Sequence, residues 1–176
     1  MERHVVRGFI DGALSVLGVV IGASSAEVGI VISAGIGGGI ANALSNAFGA
    51  FSAEMVEEEI KLSEVEKSML SDLRSTEIYR EIRKRVMVRG IVDGVSTAFG
   101  SFLPIIPFIL AMLTGYSVNL ALALSAGLTA TSLFIVGVYY GMVSKKNILL
   151  SGTKMGLMGI VTAVATFVIE RSLRLI

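Results

Sequence analysis

The sequence contains no cysteine, tryptophan or glutamine, and it has only two prolines and one histidine. The absence of cysteine excludes disulfides, thiolate metal sites and thiol catalysis. Charged residues are scarce as well, because they make up 16% of the chain, whereas a soluble domain carries roughly 25%. The 15 basic and 14 acidic residues leave a net charge of +1, which gives no indication of a nucleic-acid partner.

Apolar residues are abundant, at 53% of the 176 positions, and the mean hydropathy is +0.79. A membrane-spanning helix needs about 20 mostly apolar residues, and five segments qualify: 7–26, 28–52, 90–113, 118–143 and 148–169. Their apolar residues run continuously and do not alternate, so helices are expected and strands are not. We predict an all-α membrane protein with five transmembrane helices. The first is expected to be retained, because it lacks a small-x-small cleavage site.

Between residues 53 and 89 the composition inverts, because this segment holds nine of the 14 acidic residues and eight of the 15 basic ones. Apolar residues recur in it at helical spacing, as at Val56, Ile60 and Val65, which is typical of amphipathic helices outside the membrane. The sequence therefore predicts transmembrane helices one and two over 1–52, a charged cytoplasmic segment over 53–89, and helices three to five over 90–176.

The orientation follows from lysine and arginine, which are enriched on the cytoplasmic side of membranes. Basic residues precede spans one, three and five, as Arg3, Arg7, Arg80, Arg83, Lys84, Arg85, Arg89, Lys145 and Lys146. The turns at 24–27 and 114–117 carry no base, although Arg171 and Arg174 follow the last span. This distribution predicts a cytoplasmic N-terminus.

An internal repeat appears when the chain is shifted by 82 positions (89 − 7). Residues 7–12, Arg-Gly-Phe-Ile-Asp-Gly, then lie over residues 89–94, Arg-Gly-Ile-Val-Asp-Gly, and Gly18 falls on Gly100. Both copies start on the same side, so spans one and two and spans three and four are predicted to form a parallel repeat. Many transporters are built from such repeats, with the substrate path at the repeat interface.

Small and polar residues share one face of each copy, at steps of four, seven and eleven from the aspartate: Asp11, Ser15, Gly18 and Gly22, and Asp93, Thr97, Gly100 and Pro104. Such a face suits either a cation path or a close helix contact. Only 15 uncharged residues follow Asp11, about 22 Å of helix against a core of about 30 Å, so Asp11 is drawn into the membrane. Asp93, followed by 20 uncharged residues, is able to lie at the boundary. We assign both to the ion path; the alternative for Asp11 is an interfacial pair with Arg7.

Further candidates lie on and after the second span. Asn42, Ser45 and Asn46 are able to line the path as oxygen ligands, or to bond between helices. The second group is a run of carboxylates at positions i, i+3 and i+4, Glu54, Glu57 and Glu58, with the possible sulfur ligands Met55 and Met69 nearby. This pattern is typical of a divalent metal site. The alternative is a charged helix face exposed to solvent. His4 is given no specific role.

No nucleophile, phosphate-loop or zinc-protease motif appears, so we predict neither an enzyme nor a cofactor beyond the transported ion. Pairs of small residues four apart favour tight helix packing: Gly18/Gly22, Gly35/Gly39, Gly137/Gly141 and Gly152/Gly156. Five spans make a thin wall around a path. We therefore expect a homodimer in membrane lipid, with the path at its interface.

Residues 7–18, Arg-Gly-Phe-Ile-Asp-Gly-Ala-Leu-Ser-Val-Leu-Gly, resemble the opening helix of the vacuolar iron transporter family. Residues 43–49, Ala-Leu-Ser-Asn-Ala-Phe-Gly, resemble its second-helix segment, and the acidic insert also fits. The resemblance covers most of the chain, as a short prokaryotic-type member. It implies a five-helix dimer in a prokaryotic cell membrane that carries Fe²⁺ or Mn²⁺ out of the cytoplasm in exchange for protons.

By that resemblance, Asp11 matches the family's first-helix aspartate on the ion path and is the candidate for proton coupling. Asn46 stands where the family has a methionine, and Ala50 where a glutamate often occurs. An amide in place of a soft sulfur weakens the case for iron and leaves manganese or another divalent ion open. The insert is shorter than in plant-type members, so its glutamates match in character only. The alternative function is a non-transporting membrane scaffold that binds partners.

Overall fold

The structure, a computed structural model, describes residues 2–145 and 147–173 and consists of five α-helices in sequence: α1 (Glu2–Gly22), α2 (Val28–Met69), α3 (Glu77–Thr114), α4 (Val118–Val143) and α5 (Ile148–Leu173). Each helix is long and apolar enough to cross a membrane, and the described residues form no strand. The predicted all-α fold with five spanning helices is confirmed, and the chain is a multi-pass integral membrane protein. Lys146 and Arg174, two of the bases considered for orientation, lie outside the described residues.

The charged segment is built from extensions of α2 and α3. At 42 residues α2 is about 63 Å long, roughly twice the thickness of a bilayer core, because no Gly or Pro interrupts it after residue 49. It ends where Leu70 adopts a left-handed conformation and donates its backbone N–H to the carbonyl of Glu66. After a short turn, α3 begins at Glu77, a favourable residue at a helix N-terminus. The predicted region boundaries at 52/53 and 89/90 therefore fall inside continuous helices.

Glycines bring the backbones of α1 and α3 into direct contact. A methyl group on Gly8 would overlap the carbonyl oxygen of Asp93, and one on Gly12 would overlap that of Thr97. From the other helix, a methyl group on Gly100 would overlap the carbonyl oxygen of Phe9. Small residues permit this approach because they lack bulky side chains, and such close packing stabilises helix pairs in lipid, where no hydrophobic force holds them together.

The interface of α2 with α3 uses Gly90 and Gly94, where an added methyl would lie 2.8 Å from the Ala47 carbonyl oxygen and 2.7 Å from the Ala47 side chain. α3 therefore lies between α1 and α2. Two prolines, Pro104 and Pro107, lie inside α3. Hydroxyl groups bond to their backbone carbonyls, because Ser125 donates to Pro104 at 2.8 Å and Tyr116 donates to Pro107.

Towards the α1–α2 turn, apolar residues of four helices form the core: Val16, Val20, Val31, Ile105, Phe108, Ala111 and Ala121. α5 packs on α4, where Gly137 faces the carbonyl oxygen of Ser151 and Gly141 faces Ile148. Large apolar side chains on the outer faces of the bundle are exposed, as expected of helices that cross a membrane, among them Phe99, Leu149 and Val161.

Candidate ion site

The site is centred on Asp11, which is half-buried in the middle of α1. Two asparagines on α2 donate side-chain N–H groups to its Oδ2 atom, Asn42 at 2.8 Å and Asn46 at 2.7 Å. Since they are four residues apart, both amides project from one face of α2. The structure therefore brings together three of the residues that the sequence assigned to the ion path.

Asn46 also connects Asp11 to the third helix. Its Nδ2 atom lies 3.0 Å from the hydroxyl oxygen of Thr97, and this hydroxyl donates to the backbone carbonyl of Asp93 at 2.9 Å. Thr97 is fully buried, so this chain of bonds fixes the Asn46 amide between α1 and α3. The sequence had placed Thr97 on the polar stripe but not among the site residues. Its match with Ser15 in the repeat was the only signal.

Asp11 and Asn46 line a cavity of 330 Å³, together with Arg7 and the small residues Gly49, Ala50 and Ala53. A carboxylate, an amide and a set of side chains too small to fill the space leave room for an ion and water. Carboxylate and amide oxygens of this kind suit hard divalent cations.

A second cavity of 420 Å³ adjoins the Asp11 cavity and lies between the N-terminus of α1 and the extended part of α2. We call the second cavity the outer cavity and the Asp11 cavity the inner cavity. Both cavities share Arg7, Ala50 and Ala53. The outer cavity is also lined by the charged residues Arg3, Glu54, Glu57, Glu58, Lys61 and Arg89 and by His4. The two cavities therefore lie side by side, between the charged segment and Asp11.

Asp93 has a different environment. It is fully buried, its Oδ2 atom accepts a hydrogen bond from the guanidinium of Arg7, and it does not line either cavity. Its Oδ1 atom has no hydrogen-bond partner among the described residues. The alternative pairing of Asp11 with Arg7 is not found in the described structure, since the ion pair of Arg7 is with Asp93. Whether Asp93 contacts the ion stays a prediction.

The two serines assigned to the path are not part of this network. Ser15 on α1 and Ser45 on α2 are both exposed on the surface of the bundle. Ser15 lies about one helical turn after Asp11, so the two residues are on the same side of α1. Their role on the path stays a prediction.

The carboxylates of the acidic run are paired with basic groups. Glu54 contacts His4 Nε2 at 2.7 Å and Arg89 at 3.0 Å. Lys61 lies 2.7 Å from Glu57 and 3.8 Å from Glu58. The hydrogen bond from Lys61 lowers the pKa of Glu57, and the same bond raises the pKa of Lys61.

Within residues 2–145 and 147–173, no group of three or more His, Asp or Glu side chains is placed to hold a metal ion. Met55 is half-buried and Met69 is exposed, and neither lines the outer cavity. Metal binding by Glu54, Glu57, Glu58 and Met55 therefore stays a prediction, and it would require these side chains to exchange their present partners.

His4, which had no role in the sequence interpretation, is buried at the entrance. Its Nε2 atom contacts Glu54, whereas its Nδ1 atom has no partner among the described residues. Nothing in the sequence around position 4 signals this contact, because it joins helices 50 positions apart (54 − 4).

The chain matches one protein family over most of its length. The sequence profile of the VIT family matches it over residues 2–82 and again over residues 67–171. An uncharacterized protein of Methanocaldococcus jannaschii is 45% identical over 174 residues, which cover 97% of this chain and 88% of that protein.

Proposed function

Because the chain belongs to the VIT (vacuolar iron transporter) family, whose members transport metal ions across membranes and are not enzymes, we propose that it exports Fe²⁺ or Mn²⁺ from the cytoplasm. The observation that carries the proposal is Asp11, a half-buried carboxylate inside a spanning helix, held by two amides and open to a cavity. A carboxylate at membrane depth is costly unless it serves an ion, a proton or a partner.

The ion would enter through the outer cavity and bind at Asp11. In the outer cavity three glutamates face four basic side chains, so that cavity is not a strong cation trap. Selection of the ion therefore belongs to Asp11 and the neighbouring amides. Their hard oxygen atoms favour Mn²⁺ over softer ions, and Asn46 supplies no sulfur for iron.

We place proton exchange on the same carboxylate. Asp11 is the only Asp or Glu side chain that lines the inner cavity among the described residues. A proton and a metal ion cannot occupy one carboxylate together without weakening each other's binding. Alternate occupation of Asp11 would couple metal export to proton entry.

A homodimer would complete the path. Small residues recur at every fourth position of α2 in a stripe that winds slowly around the helix, and all of them are exposed: Gly29, Ser33, Gly37, Ala41, Ser45, Gly49 and Ala53. Space beside Gly29, Gly37 and Gly49 is open to at least 4 Å. Such a face is typical of close helix pairing in lipid. Since Gly49 and Ala53 also line the Asp11 cavity, a second copy on this face would cover the cavity.

We further propose that the N-terminus is cytoplasmic and that the protein resides in the cell membrane of a prokaryote. The described bases Arg3, Arg7 and Arg89 lie at the end of the bundle that holds the outer cavity, which supports this orientation.

The test is Mn²⁺ flux into liposomes that contain the wild-type protein or Asp11→Asn. We expect Asp11→Asn to reduce the initial rate at least 100-fold, since it removes the charge at the ion site, while size-exclusion chromatography shows an unchanged dimer. Asp72→Asn, the same chemical change at an exposed position in the α2–α3 turn, is the control and should retain full flux. Normal flux by Asp11→Asn would refute the assigned role, and no flux by the wild-type protein would favour the scaffold.

A further inference from the structure

An apolar groove of 380 Å³ lies on the outside of the bundle between α2 and α3, where both helices pass into the charged segment. Its lining residues are apolar or glycine: Leu44, Ala47, Phe48, Phe51, Met87, Gly90 and Ile91. We propose that this groove binds one anionic phospholipid of the bilayer, with a lipid chain in the groove and the headgroup phosphate on Arg83 and Lys84. The inference does not depend on which ion the protein carries.

The groove exists because small residues form its floor. Gly90 has no side chain, and an added methyl there would lie 2.8 Å from the Ala47 carbonyl oxygen, so α2 and α3 approach closely at this point. Larger apolar side chains stand on either side and stay exposed, Phe48 at 73% and Met87 at 53%. The predicted spans end at residue 52 and begin at residue 90, so the groove lies at the edge of the membrane core, where an exposed apolar surface suits a hydrocarbon chain.

Basic side chains continue the same face of α3 beyond the groove. Arg83 and Lys84 lie four and three residues before Met87, and Lys84 lies seven residues before Ile91. This spacing places all four residues on one side of the helix. At 1.5 Å per residue, the two bases lie about 10 Å beyond Gly90, a distance from which their long side chains reach the headgroup region.

Arg83 and Lys84 are free to bind an anion. Both are exposed, and neither forms an ion pair or a side-chain hydrogen bond with another described residue. The acidic residue on this side, Glu77, is already bonded to Arg80 at 2.6 Å. Guanidinium and ammonium groups bind phosphate oxygens strongly, and bases that directly adjoin a spanning helix attract anionic lipids.

Arg85 offers a matched control in the same turn of α3. Like Lys84 it is exposed and has no ion pair among the described residues. It lies two residues before Met87, however, which places it about 160° around the helix from the groove. A diffuse attraction between positive charge and an anionic membrane would involve all three bases equally, whereas a site at the groove would involve only Arg83 and Lys84.

Native mass spectrometry of the full-length protein in detergent measures the Kd of the first bound lipid. Phosphatidylglycerol is the anionic probe, and phosphatidylcholine with the same chains is the probe without net charge. We expect the wild-type protein to prefer phosphatidylglycerol about 30-fold, since each base beside an anionic lipid contributes about fivefold. Arg83→Gln/Lys84→Gln should reduce this preference to below about threefold, and Arg85→Gln should leave it within about twofold of the wild-type value.

Two further measurements test the groove itself. Phe48→Ala removes an exposed side chain that lines it, and should weaken the binding of both lipids about threefold. Glycerol 3-phosphate, which carries a phosphate but no chain, should not displace phosphatidylglycerol at about 100-fold excess.

A preference that is lost only in Arg83→Gln/Lys84→Gln supports the lipid site. A preference that survives in that variant, or that Arg85→Gln lowers equally, overturns it in favour of diffuse attraction. Displacement by glycerol 3-phosphate would show a site for free phosphate, and conversion of a dimer to monomers by Phe48→Ala would show that a second copy covers the groove. Either result also overturns the lipid site. If the double variant does not yield a monodisperse protein, Lys84→Gln decides by the same criterion, with an expected loss of about fivefold.

Discussion

Asp11 and Asp93 follow an Arg-Gly pair at the same distance in two segments of matching sequence, but their surroundings differ. Asp11 is half-buried, accepts bonds from two amides and lines a cavity. Asp93 is fully buried, is paired with Arg7, and lines neither cavity. The basic residues differ as well, because Arg7 reaches across to Asp93, whereas Arg89 reaches back to Glu54.

The difference follows from the position of the helices. α3 contacts α1, α2 and α4 and is enclosed by them, so an aspartate in its middle is sealed from water. α1 is covered on fewer sides at Asp11, where the small residues Gly49, Ala50 and Ala53 leave a cavity. One motif therefore supplies a carboxylate open to a cavity in one copy and a buried, arginine-paired carboxylate in the other.

The largest expected difference between the two segments is in the loss of stability when Arg7 or Arg89 is replaced by alanine. Arg7→Ala would leave the buried Asp93 without its counter-charge, and we expect it to reduce the free energy of unfolding by about 3 kcal/mol or more. Arg89→Ala leaves Glu54, which is less deeply buried than Asp93 and keeps its contact with His4, and should cost under about 1 kcal/mol. Thermal unfolding in detergent measures both. The double variant Arg7→Met/Asp93→Leu should recover most of the loss, and equal effects of the two single variants would contradict the comparison.

A smaller difference in the free energy of unfolding is expected between alanine substitutions at Gly18 and Gly100, which occupy equivalent positions in the two segments. A methyl on Gly100 would overlap the backbone carbonyl of Phe9, so Gly100→Ala should separate α1 from α3 and cost about 1–3 kcal/mol. A methyl on Gly18 would lie at an ordinary 3.7 Å from Thr166, so Gly18→Ala should be neutral or slightly stabilising. The shift in melting temperature of each variant checks this, and a destabilised Gly18→Ala would show that the α1–α5 contact is tighter than described.

The smallest effect concerns the hydroxyls of Thr97 and Ser15, again at equivalent positions. Thr97→Val loses the contact with Asn46 and the bond to the Asp93 carbonyl, and should cost roughly 1–2 kcal/mol. Ser15 is exposed, so Ser15→Ala should change the free energy of unfolding by less than about 0.5 kcal/mol. Denaturant or thermal unfolding distinguishes them, and a loss of the same size for both would place Ser15 in a contact that one protomer does not contain.

Much of the fold was predictable from the sequence. The five spans, the absence of strands and the charged segment follow from where apolar runs begin and end, because lipid leaves the backbone almost no alternative to helix. The association of Asp11 with Asn42 and Asn46 was also accessible, since polar groups at membrane depth seek one another. The partners of Arg7 and Glu54 were not, because they lie on other helices, 86 and 35 or more positions away.

The motif Arg-Gly-x-x-Asp-Gly by itself determined that two helices would each carry a base, an acid and small residues at fixed helical spacing, since that depends only on the periodicity of the helix. It also determined that the helices were able to approach closely, since glycine has no side chain. Only the tertiary structure decided which acid stays open to a cavity and which is neutralised in the interior. The energy of a charge depends on the groups and water around it, and in this protein those groups come from neighbouring helices.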